Sequence, residues 1–226
     1  SDVKSLSLRN KIKSLFTDFS NRILFFDIFV RDLDDENFNR IVNDTGKYAY
    51  YLKELRKLKP YTLSEREEQL INLKELNGIN VLVKIYEIIK NSFSYKVSFR
   101  EDEITEEELR KYVRSPNKEI RKEAYDLVLD KYEKNKVVFG EIYNAIQKEC
   151  ETDLVKIRGY KHPIQATNLA NDIPDEIIET LLKVTRKNAK LFGEYFKLKF
   201  KYLKIKGSRH DIYAPIDEIE KEYNFE

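Results

Sequence analysis

Histidine occurs only twice, at His162 and His210. A helical zinc centre needs two imidazoles one turn apart and a glutamate beside the first, so that both rings reach one metal from one helix face. Neither histidine has such neighbours: His162 precedes Pro163 and His210 precedes Asp211. No nucleophile motif accompanies either one. His162 therefore reads as a helix-start or surface residue, and His210 as a loop residue beside a carboxylate. The single cysteine, Cys150, falls on an apolar helical stripe and reads as a small buried hydrophobe. It cannot form an internal disulfide, which suits a reducing compartment.

Charge offers a second kind of chemistry. Between Lys183 and Arg209 there are ten basic residues and one acid, Glu194, interleaved with Phe192, Tyr195, Phe196, Phe200 and Tyr202. Such a face can bind a polyanion. The simpler reading is an amphipathic helix whose lysine stems cover apolar surface. Glu101–Glu108 is acidic and reads as a solvated helix start. Phe25, Phe26 and Phe29 read as core packing, with Tyr48, Tyr50 and Tyr51 similar in kind.

The elements that must carry these residues are helices. Leu8, Ile12, Leu15, Phe16, Phe19, Ile23, Phe26 and Val30 recur at three- and four-residue steps, one stripe of a helix about seven turns long. Asp34 or Asp35 caps a short helix, and Pro60 stops another built on Tyr48, Leu52 and Leu55. Ser64 with Glu67, and Thr105 with Glu108, have capping-box spacing. Asn77-Gly78 closes the first of these helices, and the stripe from Val81 to Ile89 makes another. Phe93, Tyr95, Val97 and Phe99 alternate with polar residues, a strand pattern. Ser115-Pro116 predicts a helix start, and the following pattern runs to Ile157 with a kink near Asn135. Arg158-Gly159 ends it. His162-Pro163 opens a short helix to Asn171. A last long helix runs from Pro174 to Lys206, followed by an extended His210–Pro215 and a further helix from Asp217. The expected class is all-α, mainly long antiparallel helices, with at most one short strand or small hairpin around 93–104. The expected layout is one helical segment over 1–226: helices over 1–92, the extended element at 93–104, and long helices over 105–226.

Composition agrees. The chain has 226 residues, with 41% hydrophobic and 36% charged, and Lys+Arg 42 against Asp+Glu 40. That is enough apolar content to fold, and the near-neutral balance argues against a dedicated nucleic-acid binder. Six glycines and five prolines are few, which disfavours all-β and Gly-rich nucleotide folds. No apolar run is long enough to span a membrane and no signal peptide is visible.

Four stretches taken in order resemble one family. They are TLSEREEQL (Thr62–Leu70), RSPNKEIRKEAY (Arg114–Tyr125), RGYKHPIQATNLANDIPDEII (Arg158–Ile178) and HDIYAPI (His210–Ile216). Together they resemble the oligoendopeptidase F branch of the thimet-oligopeptidase-like zinc metallopeptidases. Thr167 departs from the arginine usual before Asn168. Arg158, Gly159, Tyr160, Asn168, Asp211 and Tyr213 are family-like positions without an assigned role.

The resemblance implies a mostly helical ellipsoid with a channel for short peptides. It also implies a zinc held by H-E-x-x-H and a glutamate from a following helix, downstream of the His210–Ile216 segment. None of these ligands matches a position here. The chain is therefore expected to be an internal, non-catalytic fragment of a cytoplasmic peptidase, needing no cofactor itself and partnered by the rest of that enzyme. In that setting Lys197, Lys199 and Lys201 would attract peptide carboxylates. The alternatives are a stand-alone helical interaction scaffold derived from such an enzyme and, less favoured, a nucleic-acid binder on the basic helix.

Overall fold

A computed structural model describes residues 3–216. In chain order the helices are α1 (Val3–Asp32), α2 (Asp35–Asp44), α3 (Ala49–Lys57), α4 (Glu65–Asn77), α5 (Ile79–Asn91), α6 (Glu106–Tyr112), α7 (Lys118–Lys134), α8 (Lys136–Cys150), α9 (Pro163–Ala170) and α10 (Asp175–Tyr202). Among the described residues the fold is all-α. The chain divides into two compact units. In described residues, the first is 3–88 with 140–179 and the second is 89–139 with 180–216.

Local chemistry starts most of these helices. Asp34 accepts the Asn37 N–H at 2.9 Å and caps α2. Both expected capping boxes form, Ser64 with Glu67 on α4 and Thr105 with Glu108 on α6, so two orphan donors are satisfied at each start. One start is shifted. Asn117 caps α7, taking the Glu119 and Ile120 N–H groups, while Ser115 Oγ accepts from the Asn117 N–H. The side-chain carbonyl of the asparagine directly after Pro116 reaches those N–H groups and so sets the first turn.

In the first unit, Val30, Phe38, Val42, Leu52 and Leu55 form the core where α1, α2 and α3 meet. Arg56 adds a polar lock. It donates to the carbonyls of Arg31 and Leu33 at the end of α1, pairs with Asp35 at 2.7 Å, and lies over the Phe38 ring.

The helix α1 packs in an unexpected direction. Its inward side carries Leu24, Ile28 and polar groups: Asn21 meets Asn72 at 2.8 Å, Asn10 meets Lys84 at 3.0 Å, and Arg9 meets Glu87 at 2.9 Å. The stripe from Leu8 to Phe26 faces outward, and Phe25, Phe26 and Phe29 are exposed rather than packed in a core. The helical period shows that a stripe exists but not which neighbour covers it.

In the second unit, Tyr95, Val97, Ile104, Leu109 and Ala124 form the core. The alternation at 93–99 becomes one antiparallel bridge, with Tyr95 and Ile104 exchanging two 2.9 Å hydrogen bonds, and no strand forms. A single rung still places Tyr95 and Val97 inward, as period-two alternation requires.

The break near Asn135 separates α7 from α8. The π-helix Glu151–Ile157 follows α8 directly, with half-buried Cys150 at the junction. The last long helix ends at Tyr202, four residues before the expected Lys206. Lys204 and Gly207 then take positive φ. Arg209–Asp211 is a 3-10 turn and not extended, because Asp211 accepts from Ser208 and pulls the segment into a loop. The helix expected from Asp217 lies outside the described residues.

Candidate functional site

The four family-like positions of the Arg158–Ile178 stretch fall in the first unit, three of them in sequence at Arg158–Tyr160 and the fourth, Asn168, on α9. Arg158 faces Glu68 on α4 with two parallel hydrogen bonds, Nη1 to Oε1 at 2.8 Å and Nη2 to Oε2 at 2.9 Å. Its Nε reaches Asp153 at 3.1 Å, and Nη1 also donates to the Tyr61 carbonyl at 3.4 Å. Planar bidentate geometry of this kind needs arginine and not lysine.

The π-helix sets the Asp153 contact. Its wider turn bonds residue i to i+5, so the Arg158 N–H donates to the Asp153 carbonyl at 2.9 Å and brings the two side chains to one side. Gly159 then takes φ +81°, a left-handed conformation that frees the chain to turn. Tyr160 follows and stacks on Tyr61, ring centroids 3.7 Å apart and nearly parallel.

Burial by itself raises the Glu68 pKa. The Arg158 hydrogen bonds and the Leu63 N–H, 3.0 Å away, outweigh it and leave the carboxyl below its ordinary range. Asn168 is buried on α9, where its side-chain amide donates to Asp175 at 2.7 Å and its backbone carbonyl accepts the Ile173 N–H at 2.9 Å. Beside it, Asp172 takes φ +52°, accepts from Tyr50, and pairs with Lys57 at 2.9 Å. The Tyr50 and Lys57 hydrogen bonds pull its pKa down to about 2.

Asp211 and Tyr213 belong to the second unit. Arg121 on α7 meets Asp211 at 2.7 Å with both side chains buried, 3% and 1% exposed. Arg121 also donates to the carbonyls of Ser115 and Pro116 at 2.8 Å, so Pro116 closes this node rather than a helix start. Ser208 gives Asp211 its N–H and hydroxyl, both at 3.0 Å. Desolvation raises the Asp211 pKa, but the Arg121 and Ser208 hydrogen bonds leave it lowered. Tyr213 is exposed, with the Arg114 guanidinium 6.0 Å from its ring centroid. His210 lies beside Asp211, with Ser208 Oγ 2.9 Å from Nδ1, and His162 occupies the N-cap position of α9.

The three lysines on α10 separate. Lys197 and Lys201 are exposed. Lys199 is buried and donates to the Ile212 carbonyl at 2.7 Å. Desolvation, reinforced by the Arg121 charge, lowers its pKa. Glu68, Asp153, Tyr61 and Arg121 were not legible as partners. The signal within reach was that Glu68 and Arg121 lie inside the two family-like strings whose counterparts are Arg158 and Asp211.

Both nodes are ion-pair networks that fix backbone segments, and in the second Arg121 Nε has no hydrogen-bond partner among the described residues. Among the described residues no group of three or more His, Cys, Asp or Glu side chains could hold a metal ion. No described helix is long and apolar enough to cross a membrane.

The oligopeptidase F family model matches residues 31–88. Group B oligopeptidase PepB of Streptococcus agalactiae is 23% identical over 96% of this chain and 37% of its own length. Oligopeptidase PepF of Bacillus subtilis is 22% identical over 92% of this chain and 32% of its own. These likenesses support an oligoendopeptidase F-family segment. The chain spans 32% to 39% of the length of its curated relatives. The fold agrees with the crystal structure of oligoendopeptidase-F from Enterococcus faecium. The TM-score is 0.82 at 19% identity, covering 97% of this chain and 44% of that one. Both ion-pair nodes draw on family-like strings that lie far apart in sequence.

Proposed function

We propose that this chain is a non-catalytic helical segment of a cytoplasmic zinc metallo-oligopeptidase, acting over residues 1–226 as one part of the wall of an internal peptide channel. The likeness to oligopeptidases carries this reading: it runs along 92% to 100% of the chain, while H-E-x-x-H occurs nowhere in its 226 residues. In this reading zinc belongs to the rest of the enzyme, where the resemblance places H-E-x-x-H. Arg158 and Asp211 act as positioning residues that hold the helical segments in register. The partners are short peptides and the remainder of the polypeptide, and Lys197 and Lys201 attract peptide carboxylates.

A peptidase assay tests the proposal. A complete family polypeptide carrying this segment and residues 1–226 alone are each given zinc and a quenched fluorescent peptide. The complete polypeptide cleaves and loses activity to a chelator, whereas 1–226 alone does not cleave. Hydrolysis by 1–226 alone would overturn the non-catalytic role, and an inactive complete polypeptide would overturn the peptidase assignment.

A further inference from the structure

Within the second unit, α10 carries a pattern that the other described residues leave uncovered. Leu181, Val184, Asn188, Leu191, Tyr195, Leu198 and Tyr202 follow one another at alternating three- and four-residue steps. That period is 3.5, the coiled-coil period, and it is sustained over three heptads. Every member of the seam is exposed, its apolar and aromatic residues from Tyr195 at 49% to Leu198 at 67%. In heptad notation Val184, Leu191 and Leu198 take d, and Leu181, Asn188, Tyr195 and Tyr202 take a. Asn188 is the one amide, a placement that sets register in paired helices. The helix packs inside its own unit by another side, through Phe196, Lys199 and Phe200.

We propose that this seam docks an acidic amphipathic α-helix whose own apolar residues repeat every 3.5 positions. Its period selects a helical partner over a flat surface. Charge selects the sign. From Leu181 to Tyr202 there are seven basic residues and one acid, Glu194, which is already drawn toward Lys190 at 3.9 Å. Lys187 and Lys201 border the seam at g positions on either side of Glu194, and a partner's carboxylates would pair with the two lysines. A second copy would set like charges against each other, so self-pairing is disfavoured by the same count. Lys197 sits at position c, clear of the contact. The proposal stands on this helix alone and goes beyond the peptidase reading, so the peptidase assay and the test below fail independently.

The test uses chain 1–226 and two synthetic three-heptad peptides with Leu and Ile at a and d, one with Glu at e and g and the other with Lys. Labelled peptide is titrated by fluorescence anisotropy at low salt. The Glu peptide is expected to bind about tenfold or more tightly than the Lys peptide and to weaken as salt rises. Leu191→Asp and the double charge reversal Lys187→Glu with Lys201→Glu each weaken it by about tenfold. All three positions are solvent-exposed, and circular dichroism checks that the variants fold. Equal binding of both peptides, no binding of either, or indifference to both variants would overturn the proposal. So would a dimer of 1–226 by sedimentation that Leu191→Asp dissolves, since a second copy would then occupy the seam.

Discussion

Arg158 and Glu68 stand 90 positions apart in sequence and meet through two parallel hydrogen bonds of 2.8 and 2.9 Å. The pair joins the end of the π-helix to α4 and is held from a third side by Asp153. Replacing Arg158 with lysine keeps the charge but loses the fork, since an ammonium is a point donor. Arg158→Lys is expected to cost about 2 kcal/mol, and Arg158→Ala more, in urea unfolding. A lysine variant as stable as the parent would show that the bidentate geometry contributes nothing.

Glu68 sets an acid limit. Its folded pKa is lowered below the ordinary 4.5, despite burial, by the Arg158 and Leu63 hydrogen bonds. A lowered carboxyl stabilises the fold fully above its unfolded value and loses that contribution as pH falls through the folded value. The parent and Glu68→Gln should therefore differ in urea midpoint at pH 6 and converge below pH 4.5. A gap that stays constant across that range would exclude Glu68 as the titrating group.

The buried Arg121–Asp211 pair gives a sharper loss. Asp211→Asn leaves the buried Arg121 without its counter-charge, and a broken buried pair costs about 4 kcal/mol. Arg121 Nε already lacks a hydrogen-bond partner among the described residues, so the node has no spare acceptor to compensate. Removing both partners, as Arg121→Met with Asp211→Leu, should cost less than Asp211→Asn alone. Additive losses in that cycle would show that the two groups are uncoupled.

Two glycines separate strain from collision. Gly159, at φ +81°, has nothing within 4 Å of an added Cβ, so Gly159→Ala carries only the left-handed penalty of about 1 kcal/mol. Gly207, at φ +74°, would drive a Cβ into the Phe200 ring. Gly207→Ala should cost about 3 kcal/mol in the same unfolding measurement. Adding Phe200→Ala should recover part of it.

For the exposed lysines the readout is kinetic. Lys197→Gln with Lys201→Gln in the complete enzyme should raise KM for acidic peptides about threefold at low salt and leave neutral peptides unchanged. An unchanged KM at low salt would remove these lysines from substrate attraction.

The sequence by itself determined the class, the helix order and most boundaries. Each depends on neighbours within a turn: Ser64 reaches the Glu67 N–H at 3.4 Å and Glu67 returns to the Ser64 N–H at 3.0 Å without help from any distant residue. Apolar period likewise fixed that α1 and α10 have stripes. Tertiary structure alone decided the rest. It turned the α1 stripe outward, buried Lys199 while leaving Lys197 and Lys201 in solvent, and widened Glu151–Ile157 into a π turn that sets Asp153 beside Arg158. It also matched Arg158 with Glu68 and Arg121 with Asp211. Periodicity and capping are short-range and repeat along one chain. The choice of which face is covered, and which charge finds which, depends on contacts between distant segments, and local spacing carries no record of them.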